Sequence, residues 1–413
     1  MLKKWVLPVM AAVLALCSGC SEPAARSTLA ERSYKASELD SRIVQASNAF
    51  GLRLHQATVA AKPDANVFVS PASVSMALTM AYNGAADSTR EAMAKALELQ
   101  GLPIDDINRA GKVWRDLLEH QGAGVQLTIA NSIWTRKGKP LLEGFLQKNR
   151  EYYGAEVIPI DFASSRAAGT INSWVKKHTN GKIERIVDDR PDGQTMLMLV
   201  NAIWFKGQWT RPFNESATAP GSFFTSPGAS RQVPMMVQSG SFEYMQEAGF
   251  QAVRLPYGDE RNMAMLLFLP EEGTGLDGLQ SKLWTDAELW NRPFPTQQGV
   301  LELPRFKLEY GGRLNETLQA LGMGEAFDPQ KADFSGMAPV PPRLAINEVI
   351  HKTYVDVNER GTEAAAVTSV GMAGSAPPKN VFKMTVNRPF VMAIQDRETG
   401  SLLFLGTVRD PVS

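Results

Sequence analysis

A single mixed α+β domain is predicted by three observations. The first half of the chain carries apolar residues at helical spacing. The second half carries alternating or continuous apolar runs of strand length, and no linker or internal repeat separates the halves. With 413 residues, 44% hydrophobic and 21% charged, the chain has material for one large core, and this composition excludes a disordered, collagen-like or coiled-coil chain. Lys plus Arg number 43 and so do Asp plus Glu, so the balance leaves no electrostatic footprint for nucleic acid.

The first residues read as an address. Lys3 and Lys4 precede an apolar run from Trp5 to Leu16, too short to span a bilayer comfortably, followed by Ser18, Gly19 and Cys20. A cysteine after Ser-Gly resembles a bacterial lipobox, although Cys17 stands where a leucine is usual. That resemblance implies a signal peptide over 1–19, lipidation at Cys20 and, because Ser21 rather than Asp follows, an outer-membrane lipoprotein facing periplasm or exterior. The alternative is a plain signal peptide and a secreted protein. Residues 20–36, rich in Ala, Ser and charge, read as a tether, with the domain over 37–413.

Along the body, Ile43, Ala46, Phe50 and Leu54 predict a helix, as do Ser73–Tyr82, closed by Asn83-Gly84, and Ile171, Trp174, Val175 and His178, closed by Asn180-Gly181. Thr195–Phe205 is almost wholly apolar and predicts a central strand buried on both faces. Asn262–Leu269 and Val300–Lys307 read as strands. Alternation over Val349–Val357 predicts another. Phe390–Gln395 and Leu402–Val408 predict a hairpin about Arg397–Gly400.

Enzyme signatures are sparse. There is no G-x-S-x-G elbow and no Walker A loop. Gly273-Thr-Gly275-Leu-Asp-Gly278 matches G-x-G-x-x-G, but Glu271 and Glu272 precede it and no ribose-binding acid follows at the right distance, so it reads as a surface loop. The four histidines have no metal-ligand spacing, and both cysteines, Cys17 and Cys20, precede the body. No metal or cofactor is expected. His351 is a conceivable base without a partner nucleophile.

Gly361–Pro378 stands apart: small, weakly apolar residues with one charge, Glu363, set between strands. Ala, Val and Thr allow it strand geometry if a sheet offers a gap. Its beginning, Asn358-Glu359-Arg360-Gly361-Thr362-Glu363-Ala364-Ala365-Ala366, resembles the loop hinge of the serpins, the serine protease inhibitor family. Asn66–Ser73, Ala81–Ala85, Ser88–Glu91, Asn201–Trp209 with Pro212-Phe213, Val233–Met236, Leu303–Phe306, Asn387–Phe390 and Phe404–Gly406 resemble further family segments, in family order, over about Leu39 to Pro411.

The resemblance implies a single domain of three sheets and eight or nine helices, with an exposed reactive loop over about 359–380. It implies an inhibitor rather than an enzyme, working as a monomer. A serine protease, or a papain-like cysteine protease, cuts the loop, which then inserts into a five-stranded sheet and traps the protease covalently. Residues facing inward on insertion are Thr362, Ala364, Ala366, Thr368 and Val370, none charged. By position, Ser70, Ser73, Asn201 and His351 match a buried polar cluster where the sheet opens. Trp209 matches the tryptophan at the top of the sheet, and Glu359 and Arg305 match an ion pair there, with Arg305 in place of the usual lysine. Counting about seventeen residues from Glu359 puts the reactive bond at Ser375–Ala376, and Met372–Ala373 is the alternative. No Lys or Arg precedes Lys379 in the loop, which points to an elastase-like or subtilisin-like protease. A non-inhibitory binding module of the same fold is the rival reading.

Overall fold

The computed structural model describes residues 32–362 and 381–412. The expected signal peptide, Cys20, and the loop containing Glu363, Ala364, Ala365, Ala366, Met372–Ala373 and Ser375–Ala376 lie outside them.

In chain order the elements are α1 (Ser41–Ala61), β1 (Val67–Val69), α2 (Pro71–Tyr82), α3 (Asp87–Ala96), α4 (Ile104–Glu119), β2 (Val125–Arg136), α5 (Glu143–Tyr153), β3 (Glu156–Ile160), α6 (Ala167–His178) and β4 (Leu197–Gln208). There follow β5 (Ala219–Ser226), β6 (Ala229–Glu247), β7 (Phe250–Tyr257), β8 (Met263–Pro270), α7 (Gly275–Thr285), β9 (Thr296–Pro304), β10 (Phe306–Arg313), α8 (Asn315–Leu318), α9 (Gly324–Phe327) and β11 (Glu348–Asn358). The last are β12 (Gly361–Thr362), β13 (Phe382–Thr385), β14 (Phe390–Asp396) and β15 (Ser401–Val408).

Local chemistry sets the helices. Asp40 caps α1 by accepting from the Arg42 amide, and Ile43, Ala46, Phe50 and Leu54 form its buried stripe. Ser70 caps α2 by accepting from the Ser73 amide, and Pro71 occupies the first turn. Every residue of α2 is buried, so this helix runs through the core rather than over it.

The strands form two sheets. One has the order β10-β11-β12-β4-β2-β3. The other runs β1-β15-β14-β8-β7-β6-β9-β13, with β5 on β6. Long β6 pairs with β9 over Met235–Glu243 and with β7 over Glu243–Glu247, so two layers implied as separate sheets share one continuous ladder. The β4 strand is apolar on both faces because both are covered. Leu197, Leu199, Ile203 and Phe205 join the main core, whereas Met198, Val200 and Ala202 pack with Ile171 and Val175 of α6.

Val300–Lys307 is not one strand. Pro304 ends β9 in one sheet, the chain turns at Arg305, and β10 starts in the other. Apolar pattern alone does not reveal the crossing, because the residues on both sides of it are buried. The G-x-G-x-x-G segment leads from β8 into α7, with Gly275 at φ +66°. The described end of the expected tether is fastened down: Arg32 bonds the His120 carbonyl and Glu398, at 2.8 and 2.6 Å, and the Ser33 and Tyr34 amides donate to Asp116 at 2.8 and 3.1 Å.

Candidate functional site

The seam between β4 and β11 is half closed. The two strands pair in parallel from Met198↔Glu348 to Trp204↔Tyr354. Above that point they diverge, and β12 enters between them. Gly361 pairs with Asn358 and Gln208, and Thr362 with Val357 and Gly207, antiparallel on both sides. The sheet therefore already holds the first two residues of an additional strand.

Gly361 sits at φ +150°, and a Cβ there would meet the Gly207 carbonyl oxygen at 2.0 Å, so only glycine fits. Thr362 is fully buried, with its hydroxyl 2.7 Å from the Tyr257 hydroxyl. The Glu359 carboxylate accepts from Arg305 at 2.6 Å and from the Thr218 hydroxyl at 2.7 Å. Burial opposes its charge, but these bonds outweigh it and hold the carboxyl below its ordinary range. Arg360 points the other way and pairs with Glu215 at 2.6 Å.

The segment after β4 clamps this turn. Trp209 donates from its backbone to the Arg360 carbonyl at 3.0 Å and from its indole to the Asn358 carbonyl at 2.9 Å. The Phe213 amide donates to the Glu359 carbonyl at 2.8 Å. The Trp209 ring stacks on Tyr257 with centroids 4.4 Å apart.

Lower in the seam the structure brings Ser70, Ser73, Asn201 and His351 into one buried cluster. The Ser70 amide donates to His351 Nε2 at 3.1 Å, so Nδ1 carries the proton and donates to the Asn201 amide oxygen. The Asn201 amide nitrogen donates to the Ser73 carbonyl at 3.1 Å and lies beside the Asn131 amide oxygen. The Ser70 hydroxyl donates to the Leu403 carbonyl at 2.6 Å. His351 and Asn201 are register partners across the strands that form the seam. Burial lowers the His351 pKa to about 3, so the imidazole is neutral, sealed and fully bonded. It is a structural bridge, not a general base.

Tyr257, Thr218, Glu215 and Asn131 were not identified from the sequence. Asn131 had no distinct signal, since β2 carries polar residues throughout, Ser132 beside it among them. Tyr257 and Thr218 had none, since their partners lie 105 and 141 residues away.

The seam of β4 and β11 thus holds Gly361 and Thr362 between its two strands. The family model "Serpin (serine protease inhibitor)" matches residues 45–411. The leukocyte elastase inhibitor of Bos taurus is 36% identical over 370 residues, covering 84% of this chain and 94% of that protein. The leukocyte elastase inhibitor of Homo sapiens is 34% identical, covering 90% of this chain and 100% of its own. Among solved structures, native tengpin, a thermophilic serpin, superposes with a TM-score of 0.82 at 32% identity, covering 90% of this chain and 95% of tengpin. A thyroxine-binding globulin complex with thyroxine does so at 0.80 and 30% identity, covering 90% and 99%. This chain belongs to the serpin family, whose members with these inhibitor names block proteases rather than catalyse a reaction.

Proposed function

We propose that the protein is a suicide-substrate inhibitor of serine proteases. The observation that carries this reading is the seating of Gly361 and Thr362 between β4 and β11. Continued, their register would set each later loop residue between one residue of each strand. Thr368 would fall between His351 and Asn201, breaking their hydrogen bond, and the ladder would run out where β11 begins at Glu348. Alternate residues from Thr362 would share its buried face, and Ala364, Ala366, Thr368 and Val370 are small or uncharged.

The protease serine attacks the Ser375 carbonyl, the bond to Ala376 breaks, and Ser375 becomes the acyl group on the enzyme. The loop then inserts, adding ladder bonds worth roughly 1 kcal/mol net each, and carries the acyl-enzyme along the sheet before water can release it. Cutting after Ser375 leaves Met372–Ser375 beyond the last ladder position, which favours that bond over Met372–Ala373. A papain-like protease enters the same trap through a thioester. The small residues before the cut, and the names of the elastase-inhibitor relatives, favour an elastase-like or subtilisin-like target. Lipidation at Cys20 would display the inhibitor from an outer membrane.

Incubation with a protease panel tests the reading. A target gives an SDS-resistant complex and releases a peptide starting at Ala376. The thyroxine-binding globulin likeness favours a second reading, a binding module on the same fold. Loop cleavage without any stable complex, across serine and cysteine proteases, selects that reading.

A further inference from the structure

Directly behind the hinge lies a second concave site. Between β6, β7 and the segment after β4 is a cleft of about 290 Å³, walled in part by Trp209, Phe213 and Phe242. Its charged lining is three arginines and one glutamate: Arg211, Arg254, Arg261 and Glu243.

The glutamate is already paired, with Arg254 at 3.0 Å and Arg397 at 3.1 Å. Arg254 thus has a counter-charge, shared with Arg397, and its guanidinium packs over the Phe294 ring at 4.6 Å. Two cations remain. Among the described residues the Arg211 guanidinium bonds only the neutral Gln238, at 2.9 and 3.1 Å, and lies 4.7 Å over the Phe242 ring. Loss of solvent holds its guanidinium below the ordinary range. Gly240, at φ +142°, keeps space for it, since a Cβ there would come within 2.6 Å of Arg211 Nη1. Arg261 has no hydrogen-bond or ion-pair partner among the described residues, and it holds a left-handed backbone at φ +61°. A partly desolvated guanidinium without a counter-charge is unfavourable until an anion arrives.

We propose that this cleft binds a small aromatic carboxylate, with the carboxylate on Arg211 and Arg261 and the ring against Trp209, Phe213 and Phe242. Aromatic walls with a few convergent polar groups are the usual make-up of a small-molecule site, and the volume suits a one- or two-ring ligand. The same wall holds the hinge, because Trp209 and Phe213 donate to the carbonyls of Asn358, Glu359 and Arg360. A ligand packed on both rings therefore favours the clamped hinge. Binding stands independently of inhibition, whereas slower loop insertion in the ligand's presence rests on the inhibitory reading.

The test is calorimetric titration of the full chain with 2-naphthoate and benzoate, with methyl 2-naphthoate as the neutral control. At least one carboxylate binds saturably at one site, the ester binds at least tenfold more weakly, and Arg211→Gln and Arg261→Ser each weaken binding at least tenfold. Arg261 is exposed and has no partner among the described residues, so Arg261→Ser leaves the melting temperature unchanged and separates lost binding from lost folding. Hydrogen exchange at the Trp209 and Phe213 amides slows on binding. No saturable binding of either carboxylate, equal binding of the ester, or full affinity in both variants overturns the site. Binding with unchanged exchange at those amides overturns its coupling to the hinge. Carboxylate binding by a protein that traps no protease retains the site and rejects the inhibitory reading.

Discussion

Gly361 lies against the backbone of Gly207 so closely that the hydrogen of its α-carbon is the largest group the contact admits. Gly361→Ala therefore has to lift the hinge out of the seam, breaking the Thr362 ladder pairs and the Thr362–Tyr257 bond. The native protein should lose about 1–3 kcal/mol, a range typical of strained backbone sites and broken buried bonds. Limited proteolysis should also cut nearer Glu359 than in the parent. An unchanged melting curve would mean that the hinge is not held between β4 and β11.

Thr362→Arg places a guanidinium where a fully buried threonine faces Tyr257. Without a counter-charge the burial is strongly unfavourable, so insertion stalls while cutting continues. The expected result is a protein that the target protease turns over, with the stoichiometry of inhibition rising steeply. Full inhibition at one-to-one stoichiometry would rule out insertion through this position.

Acid should weaken the native state through two buried histidines. Burial lowers both His351 and His55 from the ordinary 6.5 to about 3. Between those values the unfolded chain takes up protons that the folded one refuses. Their contribution is thus complete above about pH 6.5 and declines as pH falls toward about 3. Each histidine adds at most about 1.4 kcal/mol per pH unit to the slope. Denaturation midpoints measured across this window should show a shallower slope in His351→Gln. Identical slopes would indicate that His351 is protonated in the native seam.

Cys20→Ala should abolish labelling by a fatty-acid probe and free the body from membranes. Membrane association that survives the change would contradict the lipid anchor.

Much of the frame was legible in order along the chain. The β4 strand was readable because both faces are covered, which gives an unbroken apolar run, and the end of α2 because Asn83-Gly84 closes it, whereas its start lies at Pro71, two residues before the expected Ser73. The crossing at Arg305 was not, since buried apolar residues, Leu303 and Phe306, stand close on either side of the one exposed turn residue. The polar cluster and the Glu359–Arg305 pair were accessible only through family resemblance, because their members come from distant parts of the sequence. Tyr257 under Trp209, Thr218 beside Glu359, and Arg211 and Arg261 without a carboxylate partner among the described residues are products of tertiary placement. Nothing in their local sequence distinguishes them. The half-closed seam is likewise a relation among three strands that no periodicity encodes.

Loop insertion is tested most directly by the melting temperature before and after limited elastase digestion, with the cut located by mass spectrometry within Val370–Ala376. Nicking ordinarily lowers stability by freeing chain ends. Here the freed strand would extend the ladder that Gly361 and Thr362 have begun, burying alternate side chains down to Val370. The melting temperature should rise on the order of tens of degrees, well beyond the few degrees that about 1 kcal/mol produces in a large domain. An equal or lower melting temperature after a cut in that window would show that the loop does not enter the sheet.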